Sequence, residues 1–480
     1  MRIRTRIAPS PTGIAHVGNM YTALLNYAFA KSQEGKFILR IEDTDRERYV
    51  PGSEQVIFSA LRWLGIQIDE GPEIGGPYEP YTQSKRLPIY VSHAQALVKK
   101  GKAYFCFCSP ERLAAMRKSQ QQRGKLSMYD GTCRRLTAAE AKKRAGSEKH
   151  VVRLKVPKTG STSWRDLIRG DISFENFGLD DQVLLKSDGF PTYHLAVVVD
   201  DHRMRISHVI RAEEWISSTP KHILLFRAFG WKLPEFAHTP LLRNPDRSKL
   251  SKRKNPVSVV WYREHGFLPQ ALVNYLCLMG WSHPEGKEKF SLKEFIDNFS
   301  LERIQTTQPI FDVEKLRWLN GLYIRETKDQ KLIGLLRPFV PKGAKASMLR
   351  RILPLIHDRI HTLEEFNDYA EFFFTKPQVD AKLLLKQSKH SQLETLRKLK
   401  EFMALLNTLQ TGEFTAFKLE KRSRELAEDE WTPKKLFMTV RVAITGSTVS
   451  PPLFDSIHIL GKTETIDRVK HAATILKTSS

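Results

Sequence analysis

The sequence predicts an α/β chain: a doubly wound parallel sheet, interrupted by an inserted domain and followed by mainly helical regions. Three observations carry this reading. Short apolar strands alternate with helices over residues 1–105, the order that a doubly wound sheet requires. From Phe105 to about Leu185 the chain changes to a charged helix, cysteines and isolated strand pieces. From about Glu326 strand signals cease and apolar residues recur every three to four positions, a helical period.

The elements follow in order. A short strand leads into residues 6–19, Arg-Ile-Ala-Pro-Ser-Pro-Thr-Gly-Ile-Ala-His-Val-Gly-Asn. Pro9 and Pro11 stop the strand, because proline offers no ladder donor and fixes its own backbone angle. Gly13 and Gly18 allow a tight turn and a close approach of backbone to ligand. A helix pattern after Asn19 runs to near Gly35. A helix start after a polar loop presents free N–H groups and a positive dipole end, which suits phosphate. His16 and Asn19 would add side-chain donors there.

Residues 36–42 read as a buried strand with Asp43-Thr44-Asp45 at its end. Helices are expected over residues 52–64 and 83–101, with a Gly/Pro-rich loop at 70–80 between them. Residues 110–124 read as the charged helix, and residues 151–155 as a strand. The sheet is expected to resume at residues 191–201, with a buried strand at 207–211 and a helix ending at Gly230. Residues 240–243 lead into the basic loop Ser248-Lys-Leu-Ser-Lys-Arg-Lys254. Ligands of parallel α/β sheets sit outside the C-terminal strand ends. That places Arg6, Glu42, Asp45 and Arg211 around one crevice. Residues 256–325 read as mainly helical. Further on, Leu393, Leu396, Leu399, Phe402 and Leu406 form one apolar face, read as core.

Composition limits the partners. The chain has 480 residues, a formal charge of +24 and a pI near 9.8. That balance favours a polyanion, nucleic acid first. Residues 326–480 carry 26 basic and 19 acidic side chains, a net +7, which leaves +17 on residues 1–325. The charge therefore belongs to folded surface, not to a tail. The N-terminus shows no signal peptide and no apolar run approaches ~20 residues, so no membrane span is expected. Four cysteines point away from a disulfide scaffold and towards a reducing cytoplasm.

Arginine holds carboxylates best, bidentate and always charged. With Arg6 and Arg211 at one crevice, a substrate with two carboxylates would use both. Glu42 suits an ammonium group, and the Tyr193 hydroxyl could bridge.

Pro9-x-Pro-x-Gly-x-x-His-x-Gly18 resembles the first signature of class I aminoacyl-tRNA synthetases, and Lys249-Leu-Ser-Lys-Arg253 is similar to their mobile Lys-Met-Ser-Lys-Ser-type loop. Arg6-Ile-Ala-Pro-Ser-Pro-Thr-Gly, Arg40-Ile-Glu-Asp-Thr-Asp, Asp188-Gly-Phe-Pro-Thr-Tyr-His-Leu-Ala, Val209-Ile-Arg-Ala-Glu-Glu-Trp and Phe311-Asp-Val-Glu-Lys-Leu-Arg-Trp look like bacterial-type glutamyl-tRNA synthetases. The match spans about residues 2–325, more weakly the remainder. The resemblance implies a Rossmann-type catalytic core (1–105 and 188–255), an inserted acceptor-binding domain (106–187), a stem-contact domain (256–325) and a helical anticodon-binding region (326–480). It implies L-glutamate, ATP with Mg²⁺ and tRNA(Glu) as substrates, with tRNA(Gln) a further candidate acceptor, in a cytoplasmic monomer.

Matched by motif, Arg6, Ser10, Glu42, Tyr193 and Arg211 become glutamate contacts. Pro9, Thr12, Gly13, His16, Gly18, Asn19, Ser251 and Lys252 become ATP contacts, with His16, Lys249 and Lys252 catalytic. Adenylating a carboxylate needs positioning and preorganised charge more than covalent chemistry. Lysines on a closing loop would neutralise the charge that develops on phosphate.

The sequence departs from the family in three places. Asn19 replaces the final histidine of the first signature. Val197 stands where an asparagine often follows His-Leu-Ala. Cys106-Phe-Cys108, 24 residues and Cys133-Arg-Arg135 have the spacing of a zinc site found in some members, with Arg135 in place of a histidine. Arginine does not ligate zinc, and tetrahedral zinc takes four ligands. The fourth must come from Tyr129, His150 or water. Among alternatives, glutaminyl-tRNA synthetases carry a β-barrel anticodon region, unlike this helical third. A small-molecule nucleotidylyltransferase would not need the long basic extension. A binding-only protein would turn over no ATP.

Overall fold

In the computed structural model, which describes residues 2–251 and 256–479, strand β1 (Arg4–Ile7) pairs in parallel with β2 (Lys36–Leu39), Arg6 opposite Ile38. The crossover between them is helix α1 (Val17–Ser32), with Leu24, Leu25 and Ala28 fully buried. A helix apolar on most faces covers a buried parallel sheet. Packing fixes the turn after it: a Cβ on Gly35 would sit 2.5 Å from the Ile3 carbonyl oxygen. Helices α2 (Ser53–Trp63) and α3 (Leu87–Lys99) follow.

Strand β3 (Ala103–Cys106) opens the changed region, followed by α4 (Pro110–Gln122), α5 (Ala138–Ala145), β4 (Val151–Leu154), the hairpin β5 (Ser161–Asp166) and β6 (Gly170–Glu175), and β7 (Val183–Leu185). Strands β3, β4 and β7 form an antiparallel sheet. Helices α4 and α5 bury no residue, so their caps and charges stand in solvent.

Residues 193–203 are a helix, α6 (Tyr193–Arg203), not a continuation of the sheet. Leu195 to Val199 are buried on all sides, in one cluster with Leu97, Leu225 and Phe226. A helix buried all round shows no period, and its three valines mimic a strand. The sheet resumes with β8 (His208–Ala212), crosses by α7 (Thr219–Phe229), capped by Gly230 in the left-handed region, and returns in β9 (Glu235–Thr239). Strands β8 and β9 are parallel, Arg211 opposite His238, and β9 also meets β5 at Asp166 and Phe236. The Ser207 N–H donates to the Arg4 carbonyl (3.0 Å), tying the start of β8 to β1.

The chain divides into two compact units, Met1–Tyr262 with Leu272–Val313, and Arg263–Ala271 with Glu314–Ser480. In the second unit the described residues form helices and no strand. Leu396, Leu399, Phe402 and Leu406 lie on Gln392–Thr408 and are buried around Trp431 and Leu436. Leu393, expected on that face, is 78% exposed. It sits beside the Ser391–Glu394 capping box in the first turn, one step off the apolar stripe.

Candidate active site

The C-terminal ends of β1, β2 and β8 open into one cavity of about 1340 Å³. Arg6, Pro9, Ser10, Thr12, His16, Gly18, Asn19, Glu42, Tyr193, Arg211 and Lys249 all line it. Val197, at the departure noted above, lines it too. Gly13 and Ser251 are not among the lining residues, and Lys252 lies outside the described residues.

His16 is the N-cap of α1, and its Nδ1 accepts from the Gly18 N–H (2.9 Å). A ring nitrogen that accepts carries no proton, so in the neutral ring the proton sits on Nε2, a donor. The α1 amides do not stand open as the sequence suggests. The Val17 N–H donates to the Val257 carbonyl, that of Gly18 to His16 and that of Asn19 to the His16 carbonyl. These three amides are thus taken within the protein in this conformation. Lys249 Nζ lies 2.6 Å from Glu214, a rim ion pair with both partners exposed.

Around Arg6 and Glu42 the charges are buried. Arg6 donates through Nε and Nη2 to the two Asp201 oxygens (3.0 and 3.2 Å). Arg40 is fully buried and reaches Asp201 (2.8 Å) and Glu42 (3.0 Å). Asp200 receives Arg86, Gln83 and Tyr90. Burial pushes the Glu42 pKa up, against the pull of Arg40. For Asp201 burial also raises, but Arg6 and Arg40 win and hold it below the usual carboxylate range. Arg6 and Glu42 were legible as strand-end residues. Arg40, Asp200 and Asp201 were not, although two adjacent aspartates directly after Leu195-Ala-Val-Val-Val199 are a signal for buried arginine partners.

Arg211 differs. It is buried, yet among the described residues no carboxylate bonds it. Its neighbours are Tyr193, His222, His238, Thr219 and the Trp215 carbonyl. Burial pulls its pKa down.

Away from this cavity the cysteines converge. The Sγ atoms of Cys106, Cys108 and Cys133 lie within 4.8 Å of one another. The Tyr129 hydroxyl is 3.4 Å from Cys108 Sγ and receives the Cys133 N–H (2.8 Å). His150 is turned to the Glu148 carbonyl and packs on Phe105 and Phe107. Of the candidate fourth ligands in the chain, Tyr129 is the one at the cluster. Three thiols suit zinc, which takes four ligands, and the Tyr129 hydroxyl is the oxygen placed beside them.

Comparison with known proteins decides the family. Residues 2–318 match the class I tRNA synthetase (E and Q) catalytic domain, and residues 331–473 an anticodon binding domain. The glutamate–tRNA ligase of Thermus thermophilus is 47% identical over 98% of this chain and 99% of its own length. The chain belongs to the glutamate–tRNA ligase family. That of Acidothermus cellulolyticus is 46% identical, covering 99% of this chain and 96% of its own. A crystal structure of a glutamate tRNA ligase from Elizabethkingia meningosepticum, in complex with its amino acid, superposes with a TM-score of 0.89 at 35% identity over 99% of this chain and 100% of that one. The chain is thus a class I aminoacyl-tRNA ligase, and the family uses ATP. Among the described residues no helix is long and apolar enough to cross a membrane.

Proposed function

We propose that the chain activates L-glutamate with ATP to glutamyl-adenylate and transfers it to the 3′ end of tRNA(Glu), releasing AMP and pyrophosphate. The observation that carries the substrate is Arg211, a buried cation with no bonded carboxylate among the described residues, at the end of β8 beside the β1 end that carries Arg6. A buried arginine that bonds no carboxylate is costly, since Asp201 acts on it only from beyond hydrogen-bond reach, and an incoming carboxylate lowers that cost. Arg6, held by Asp201, keeps Nη1 for a second carboxylate. Glu42 takes the ammonium, and Ser10 and Tyr193 complete the amino acid site.

ATP then lies along His16, Thr12, Gly18 and Asn19, its Mg²⁺ arriving with it. Lys249 and Lys252 approach the phosphates from the basic loop, with Gly13 and Ser251 shaping the backbone around them. His16 Nε2–H donates to a phosphate oxygen. Residues 1–105 and 188–255 serve as the catalytic core, 106–187 as the acceptor-binding insertion, 256–325 as the stem contact and 326–480 as the anticodon-binding region. Cys106, Cys108, Cys133 and Tyr129 would hold a structural zinc that ties the loop at 129–133 to the end of β3. The metal adds no chemistry to the transfer.

The test is esterification of labelled glutamate, against labelled glutamine, onto purified tRNA(Glu) and tRNA(Gln) with ATP. Glutamate on tRNA(Glu) is expected. Glutamate on both tRNAs keeps the chemistry and widens the acceptor. Glutamine as the amino acid, or no charging, overturns the reading.

A further inference from the structure

The acceptors around Arg211 fall into two groups. On the cavity side are the Tyr193 hydroxyl (3.3 Å) and the Trp215 carbonyl (3.4 Å), both long contacts from residues that line the cavity. Behind stand His222 Nδ1 (3.2 Å), His238 Nε2 (3.2 Å) and Thr219 Oγ1 (2.8 Å), from residues that do not line it. All five guanidinium N–H groups are therefore used, and every partner is neutral.

Proton bookkeeping fixes this arrangement. Arginine only donates, so His222 Nδ1 and His238 Nε2 must accept, and both rings must be neutral. His238 then carries its proton on Nδ1, facing Asp166 (2.5 Å). His222 carries its proton on Nε2 and donates to His194 Nδ1 (3.0 Å). The chain runs Asp166, His238, Arg211, His222, His194. Asp166 is the carboxylate on this side, and the His238 ring stands between it and the guanidinium. Arg6, Arg40 and Arg86, by contrast, are each bonded directly to an aspartate.

We propose that His222 is a positioning residue for substrate selection: it orients Arg211 through a neutral ring nitrogen, so the guanidinium keeps its charge for the substrate carboxylate. A carboxylate at this place would hold Arg211 equally well and satisfy it. The pocket would then lose its reason to prefer glutamate over glutamine. This inference rests on the glutamate-activating reading above.

The test compares two variants of one shape. In His222→Asn the amide oxygen can occupy the place of Nδ1 and accept from Nη1. In His222→Asp a charged oxygen takes the same place. Both lose the ring and the bond to His194, so their difference reports the charge, together with the exchange of the amide NH2 for a second carboxylate oxygen. Tyr193 and Trp215 are kept in both, and both lose alike the edge-on contact of the His222 ring with Tyr193. In tRNA charging, the Asn form should keep its glutamate KM within roughly fivefold of the parent. The Asp form should raise it by roughly 10²-fold, the scale for altering one partner of a buried charge pair. The glutamate-to-glutamine ratio of kcat/KM should fall in the Asp form by a comparable factor, with a smaller change in kcat.

Equal KM values and equal ratios in the two variants overturn the proposal, because a purely structural histidine predicts no difference between them. If the Asp form does not fold, Thr219→Asp brings a carboxylate to Nη2 from the same helix, and an unchanged ratio there overturns it equally. The parent enzyme runs in the same assay. If it charges no glutamate, the underlying reading fails, and that outcome is distinct from a failure confined to the variants.

Discussion

The buried histidines give this enzyme an acid limit of their own. Burial, helped by Lys221 and Arg211, lowers His194 to about 4. His222 is pushed well below the usual histidine value, by burial first and then by Arg211. His238 is also lowered, burial outweighing Asp166. A histidine whose folded pKa lies below about 6.5 takes up a proton on unfolding between the two values. Its contribution to stability is complete above pH 6.5 and shrinks as pH falls towards the folded pKa. For His194 alone the loss at pH 4 is on the order of 3 kcal/mol. Aspartates such as Asp201, whose folded pKa is lowered, lose their contribution only below about pH 4. Thermal melts from pH 7.5 to 4.5 should therefore fall from about pH 6.5 downwards. A melting temperature that stays flat to pH 5 would contradict neutral histidines around Arg211.

At the scale of elements, the start of α1 depends on Gly18. A Cβ there would lie 3.1 Å from His16 Nδ1, tighter than normal contact, so Gly18→Ala should dislodge the imidazole cap. Loss of one preorganised donor costs ~10²–10³ in rate, and a dislodged His16 should approach that in the adenylation step. ATP–pyrophosphate exchange with tRNA present measures it, with glutamate KM largely preserved. An unaffected exchange rate would remove His16 from the ATP site. The cysteine cluster makes a second element-scale prediction. Purified protein should contain about one zinc per chain. Cobalt substitution should give the absorption of a thiolate-rich tetrahedral site. Tyr129→Phe should weaken metal retention while leaving the three thiolates in place. A protein free of metal after expression in zinc-supplemented medium would mark the three thiols as structural only.

The whole molecule is a polycation whose charge is spread over folded surface, including a net +7 on residues 326–480. Binding of tRNA should then be steeply salt-dependent. With ~6–10 phosphate contacts, affinity should drop ~10³–10⁵-fold between about 50 and 200 mM salt on the duplex scale, and less where the contacts are single-stranded. Filter binding across that range measures it, and a flat response would argue against an extended phosphate interface.

What the sequence determined by itself is what neighbouring residues settle among themselves. The prolines and glycines of residues 6–19 dictate strand, loop and helix start whatever surrounds them. Arg6, Glu42 and Arg211 were legible because strand ends in a parallel sheet share one edge. The helical character of the last third was legible from its period. Only the tertiary structure decided which charges meet. Arg6 finds Asp201 across 195 residues, Tyr129 meets the three cysteines, and His222 and His238 enclose Arg211. No local rule selects those partners, because burial fixes them, and burial comes from the assembled sheet and its covering helices. The same cause made residues 193–203 a helix. A segment packed on every side carries no alternation to read, and its conformation is set by its neighbours in space.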